Sequence, residues 1–172
     1  MLSVSFTDAP MDGREIVWLL ERKHQYWDQF RDTNAIYSLA SSSRYGVIYE
    51  DDEPMMHLFE MPGEPGVLHV LAVKERNRAD QRVDELSSIS RQLAERWAGF
   101  RRVEAKVALP FVQTHRILRR MGFVQETSQK GLRAFYTTGD APVNVHVFSM
   151  IPSEVINKHE DAKMTAEEVG HG

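Results

Sequence analysis

Residues 67–73 read VLHVLAV, apolar at every position except His69. Both faces of such a run shun water, so it fits only the middle of a sheet covered on two sides. From about Asp80 the period changes to 3.6, with Val83, Leu86, Ile89, Leu93 and Trp97 on one face and Gly99 placed as the residue beyond the helix end. Alternation returns over Arg102–Leu109. Pro110 then opens a helix with Phe111, Thr114, Leu118 and Met121 expected inward and Gln113, Arg116, Arg119 and Arg120 outward, which Gly122 closes. A central strand, a long helix, a second strand and a short helix must therefore pack as one α/β unit.

The flanking segments supply further strands. Residues 2–6 alternate as a short strand, and Asp12 with Glu15 forms a capping-box start for a helix expected to run to about Arg31, with Trp18 and Trp27 on its stripe. Ser41–Ser43 read as a turn. Tyr45–Glu50 and Pro54–Met61 read as a hairpin across an acidic turn, and MPGEPG at 61–66 as the next turn. Phe123–Thr127 is expected to pair with Leu132–Thr137, and Val143–Ile151 forms the last strand. These segments give one domain over 1–151, followed by a charged tail at 152–172 with one short helix over Ser153–Asp161.

The 172 residues are 42% hydrophobic and 27% charged, the composition of a globular chain. A net charge of −4 argues against nucleic-acid binding by general phosphate neutralisation. The absence of cysteine removes disulfides, thiolate metal sites and a cysteine nucleophile together. No basic-then-apolar leader or long apolar run is present, so the expectation is a soluble, cytoplasmic protein without a membrane span.

The order of elements, with a penultimate helix FVQTHRILRRMGF ending on Gly-Phe, resembles the GNAT superfamily of N-acetyltransferases over roughly residues 2–151. The resemblance implies an α/β (α+β) fold with a mixed, mostly antiparallel sheet flanked by helices on both faces. It also implies that the strands at 67–73 and 102–109 splay apart to admit acetyl-CoA, and that the cofactor's diphosphate rests on the loop before the long helix. That loop would use Val73, Arg76, Arg78, Ala79, Gln81 and Arg82. In this chain it reads RNRADQ and carries no glycine, with Ala79 and Gln81 where the family has small residues. Asp80 is expected to cap the helix and take the N–H groups and positive dipole end that an anion needs. Lys74, Arg76, Arg78 and Arg82 could hold phosphate through side chains instead.

For chemistry, the family's tyrosine acid falls at Leu118 and its leading asparagine at Phe111, neither of which can serve. Tyr45 and Tyr136 are the tyrosines that could substitute. The family's strand base aligns near His69, whose imidazole suits the work, although a hydrogen-bonded sheet histidine is the plainer account. Glu104 and His57 are further candidates. His57 and His69 are expected on opposite faces, and no third ligand is spaced for a metal.

Two readings follow. One is a GNAT-like protein with an altered acyl-CoA site serving as a binding or assembly component with a protein partner. HRILRRMGFVQE is similar to the pattern of small internal virion proteins of short-tailed phages, which would place it in host cytoplasm or virion. The other is an acetyl-CoA-dependent N-acyltransferase acting on a small or protein amine.

Overall fold

The computed structural model describes residues 1–7, 11–22, 33–42, 44–60, 63–74, 77–97, 99–128, 131–134 and 141–169. Its elements in chain order are β1 (Leu2–Thr7), α1 (Gly13–Glu21), α2 (Thr33–Ser42), β2 (Tyr45–Glu50), β3 (Glu53–Glu60), β4 (Val67–Val73), a 3-10 turn at Ala79–Gln81, α3 (Val83–Arg96), β5 (Arg102–Ala108), α4 (Val112–Arg120), β6 (Val124–Gln125), β7 (Leu132–Ala134), β8 (Val143–Met150) and α5 (Pro152–Val169). All strands belong to one sheet, ordered β1-β2-β3-β4-β5-β8-β6, with β7 also on β8. Neighbours are antiparallel except β4 and β5, which run parallel with α3 as their crossover. The mixed, mostly antiparallel sheet implied by the sequence is present.

Helices cover both faces. Side chains one apart on a strand point to opposite sides, so Val47 and Phe59 pack with Leu19 of α1 and Ile36 and Leu39 of α2, whereas Ile48, Leu58 and Leu68 pack with Leu86 and Ile89 of α3 and Ile117 and Leu118 of α4. Each fully buried side chain of this size contributes roughly 1.5–3 kcal/mol, which makes these two layers the main source of stability. α5 lies against α3, with Val155 resting on the larger core.

Local chemistry explains the connections. Asp12 accepts from the Glu15 N–H at 2.9 Å while Glu15 accepts from the Asp12 N–H at 3.2 Å, completing the expected capping box. The β2–β3 turn puts Asp51 and Asp52 at φ of 51° and 67°, the mirror-image turn that suits hairpin twist and that aspartate tolerates. Gly122 closes α4 at φ 88°, with its N–H donating to the Arg119 carbonyl and the Phe123 N–H to the Leu118 carbonyl, both at about 3 Å. This double bond at the helix end is what the Gly-Phe signature encodes.

Several expectations are corrected. In place of the turn expected at 41–43, Ser41 and Ser42 end α2, a helix whose Ile36, Leu39 and Ala40 are buried, and position 43 lies outside the described residues. α5 reaches Val169 rather than stopping near Asp161. β6 and β7 each pair with β8, not with one another. His115 and Ile117, rather than Thr114, join Leu118 and Met121 on the buried side of α4. Finally, Asp80 does not cap α3, whose N-cap position is Arg82, with no side-chain capping hydrogen bond. The first helix, expected to run to about Arg31, ends at Glu21 with Arg22 as its C-cap; residues 23–31, including Trp27, lie outside the described residues.

Candidate functional site

β4 and β5 are paired at Val67–Arg102, Leu68–Val103, His69–Glu104 and Val70–Ala105, and no further. Just past that point β4 carries one extra residue relative to β3, because His57 faces Ala72 while Leu58 faces Val70. A bulge such as this one at Leu71 bends its strand locally, and the stretch from there toward Val73 and the start of α3, where β4 and β5 are no longer paired, is the β4–β5 gap.

At the closed end of the gap the register sets His69 beside Glu104 on one face of the sheet. His69 Nε2 meets the Glu64 carboxylate, and Glu104 accepts from Arg102 at 2.9 Å and lies 3.4 Å from the Lys106 ammonium. Arg102 also grips Glu126, which accepts from the Ser149 hydroxyl; these bonds hold the Glu126 carboxyl at about 2, well below the usual range. The same hydrogen bonds push the Arg102 guanidinium further up. The carboxylate and imidazole expected from the sequence are thus brought together, each already engaged with another side chain.

The remaining candidates sit elsewhere. His57 shares the face of His69, since His69 pairs with Phe59, two residues from His57 along β3; the expected opposition is wrong because the register of β3 on β4 is set by their pairing and not by the sequence pattern. His57 is fully buried, with neither ring nitrogen hydrogen-bonded, against Trp18 at 4.6 Å and Phe59. Burial, with Arg22 nearby, pushes it down to about 3, so it stays neutral. Tyr45 donates to Glu15 at 3.2 Å, and burial with that carboxylate pushes its hydroxyl well up, against service as an acid. Leu118 is wholly buried and Phe111 is the α4 N-cap position without a capping bond. Tyr136 and Arg76 lie outside the described residues.

Several polar groups in the described part of the loop before α3 are committed to protein. The Arg78 N–H donates to Glu50 at 2.8 Å, and the Ala79 N–H to Asn77 at 3.1 Å. Glu50 comes from the end of β2 and is only 8% exposed. Gln113 of α4 reaches across to the Asn77 carbonyl and, at 3.4 Å, to Asp80, which also lies 3.9 Å from Arg116. Lys74 pairs with Glu53, and Arg82 pairs with Asp51 at 2.8 Å. Ala79 is buried, Val73 nearly so, and the Gln81 side chain is exposed. Sequence reasoning named Asp80 as the competing carboxylate and missed Glu50, whose position depends on the hairpin fold.

N–H groups of a loop ahead of a helix are natural donors to an anion, and here the Arg78 N–H faces the buried Glu50 carboxylate. Among the described residues no cluster of three metal-ligating side chains occurs, and no helix is long and apolar enough to cross a membrane.

Solved structures with a similar fold are N-acetyltransferases. The spermidine N-acetyltransferase of Vibrio cholerae, in complex with CoA and spermine, superposes with a TM-score of 0.56 at 10% identity, covering 90% of this chain and 98% of that one. A putative GNAT acetyltransferase of Desulfovibrio desulfuricans gives 0.51 at 16% identity over 88% and 99%. The aminoglycoside N(6')acetyltransferase of Legionella pneumophila gives 0.54 at 10% over 90% and 95%. No family model matches the chain, and no curated protein is similar to it. The chain has the fold of the GNAT acetyltransferases.

Proposed function

We propose that this chain is a GNAT-fold protein whose acyl-CoA seat is taken up by its own side chains, and that it works chiefly as a binding or assembly protein with a protein partner. The observation that carries the reading is the Glu50 carboxylate on the Arg78 N–H. A diphosphate entering there would face like charge at about 4 Å, which costs about 4 kcal/mol per charge pair at an effective dielectric of about 20. Two of the four cations that could compensate, Lys74 and Arg82, already hold Glu53 and Asp51. Leu118 in place of an acid points the same way. The virion setting suggested by HRILRRMGFVQE, and a location in host cytoplasm or virion, belong to this proposal.

Thermal unfolding with millimolar acetyl-CoA tests it. The natural chain should show no shift, while Glu50→Gln with Gln113→Ala should gain one. Saturation to 100-fold over Kd stabilises by about 2.7 kcal/mol, or roughly 5–10 °C for a chain of this size. A shift of that size in the natural chain would overturn the reading.

A second reading is favoured by the open gap beyond Val70 and Ala105 and by the pairing of His69 with Glu104. Here the protein is an acetyl-CoA-dependent N-acyltransferase for a small or protein amine, with His69 as base. It requires CoA thiol release that depends on an added amine and falls at least tenfold in His69→Ala.

A further inference from the structure

At the end of the sheet away from the β4–β5 gap lies a half-open cavity of about 540 Å³, lined by Phe6, Arg44, Tyr45, Glu60, Arg96 and Trp97 with Pro65, Gly66, Gly99 and Phe100 at its edge. Its size is that of a small-molecule site. None of its residues belongs to the gap, the loop before α3 or the His69–Glu104 pair.

The cavity is assembled from distant segments. Phe6 meets the Trp97 indole edge to face at 4.6 Å, and Phe100 stands 6.1 Å from the same indole. The indole fits only because position 46 is glycine: a Cβ there would come within 2.6 Å of two ring carbons. Gly66, at φ 79°, and Gly99 add no side chain of their own to the lining, although Arg101 Nε lies 3.5 Å from where a Cβ at 66 would stand.

The charge is unbalanced. Arg44 is matched by Glu60 at 2.7 Å, and the other Glu60 oxygen accepts from the Gly66 N–H at 3.4 Å, so the one lining carboxylate is fully used. Arg96 lies 5.7 Å above Phe6 and has no carboxylate partner among the described residues. Nearby Arg101 reaches only the Pro65 carbonyl, at 3.5 Å. Arg44 in turn stacks 4.9 Å over Phe100. Guanidinium planes layered on rings attract further planar groups, and an uncommitted guanidinium favours a two-oxygen anion.

We propose that this cavity binds a small planar organic anion, an aromatic carboxylate or a nucleoside monophosphate, with Arg96 receiving the acidic group and the layer of arginine and aromatic side chains receiving the ring. The site stands apart from the acyl-CoA question. Its failure and the failure of the proposed function are read in different variants.

Calorimetric titration with adenosine monophosphate and with 1-naphthoate separates the two sources of anion, and neutral adenosine serves as control. At least one anion should bind with Kd below about 1 mM, a scale of roughly −4 kcal/mol, and adenosine should bind at least tenfold more weakly. Arg96→Gln should lose at least tenfold, whereas Lys158→Gln, an exposed cation on α5 outside both sites, should leave it unchanged. Amide NMR of the natural chain gives a readout independent of any variant: shifts should cluster at Gly66, Trp97 and Gly99. Absence of binding by both anions, unchanged affinity in folded Arg96→Gln, or shifts centred on residues 77–82 would each overturn the proposal.

Discussion

His57 shows how a single side chain can set the response to acid. It is buried without a hydrogen-bond partner, and its folded-state value of about 3 lies below the roughly 6.5 of an unfolded histidine. The unfolded chain therefore takes up the proton first. Stability is complete above about pH 6.5 and declines as pH falls toward 3, by about 2 kcal/mol between pH 7 and 5. The charged group facing the ring is Arg22, which acts in the same direction. His115, pushed down by burial beside His146, adds to the trend. Urea unfolding at pH 7 and pH 5 should show this loss in the natural chain and a smaller one in His57→Phe. An equal loss in both would remove His57 as the cause. His57 was legible in the sequence only as a catalytic candidate; its burial comes from α1, whose Trp18 is laid over it.

Among elements, two glycines separate backbone strain from packing. Gly122 at the end of α4 and Gly131 before β7 both have positive φ, 88° and 67°. A Cβ at 122 would meet nothing within 4 Å, but at 131 it would lie 2.4 Å from the Val145 carbonyl oxygen of β8. Gly122→Ala should therefore cost only the conformational term, about 1–2 kcal/mol. Gly131→Ala should cost more and also loosen β7 from β8, visible as faster amide exchange at Leu132–Ala134. Comparable losses at the two positions would show that the contact at 131 relaxes freely. Gly122 was readable in advance because a helix stripe ends at it. The pairing of β6 and β7 with β8 was not, since two short strands in series resemble a hairpin until a third strand competes for their edges. α2 escaped notice for a related reason: TNAIYSLASS is rich in serine, and only contact with Val47 and Phe59 makes its Ile36, Leu39 and Ala40 a buried stripe.

For the whole molecule, α5 ties the chain's end to the long crossover helix. Pro152 is buried at its first position and Val155 rests on the core shared by α3 and β5. Ending the chain at Ile151 should lower stability by about 2 kcal/mol, or roughly 4–8 °C, measured by thermal unfolding. No change would make α5 an appendage. By itself the sequence determined the order of the elements other than α2, because burial periodicity and capping residues are local properties of the chain. The core strands β2, β4 and β5, the capping box, the closure of α4 and the lack of loop glycines all follow from it. Which carboxylate meets the loop before α3, how far β4 stays with β5, and the cavity between Phe6, Arg44 and Arg96 were decided only by tertiary structure. Those features join residues tens of positions apart, and their geometry depends on a bulge, a crossover and a hairpin acting together, none of which leaves a periodic trace in the chain.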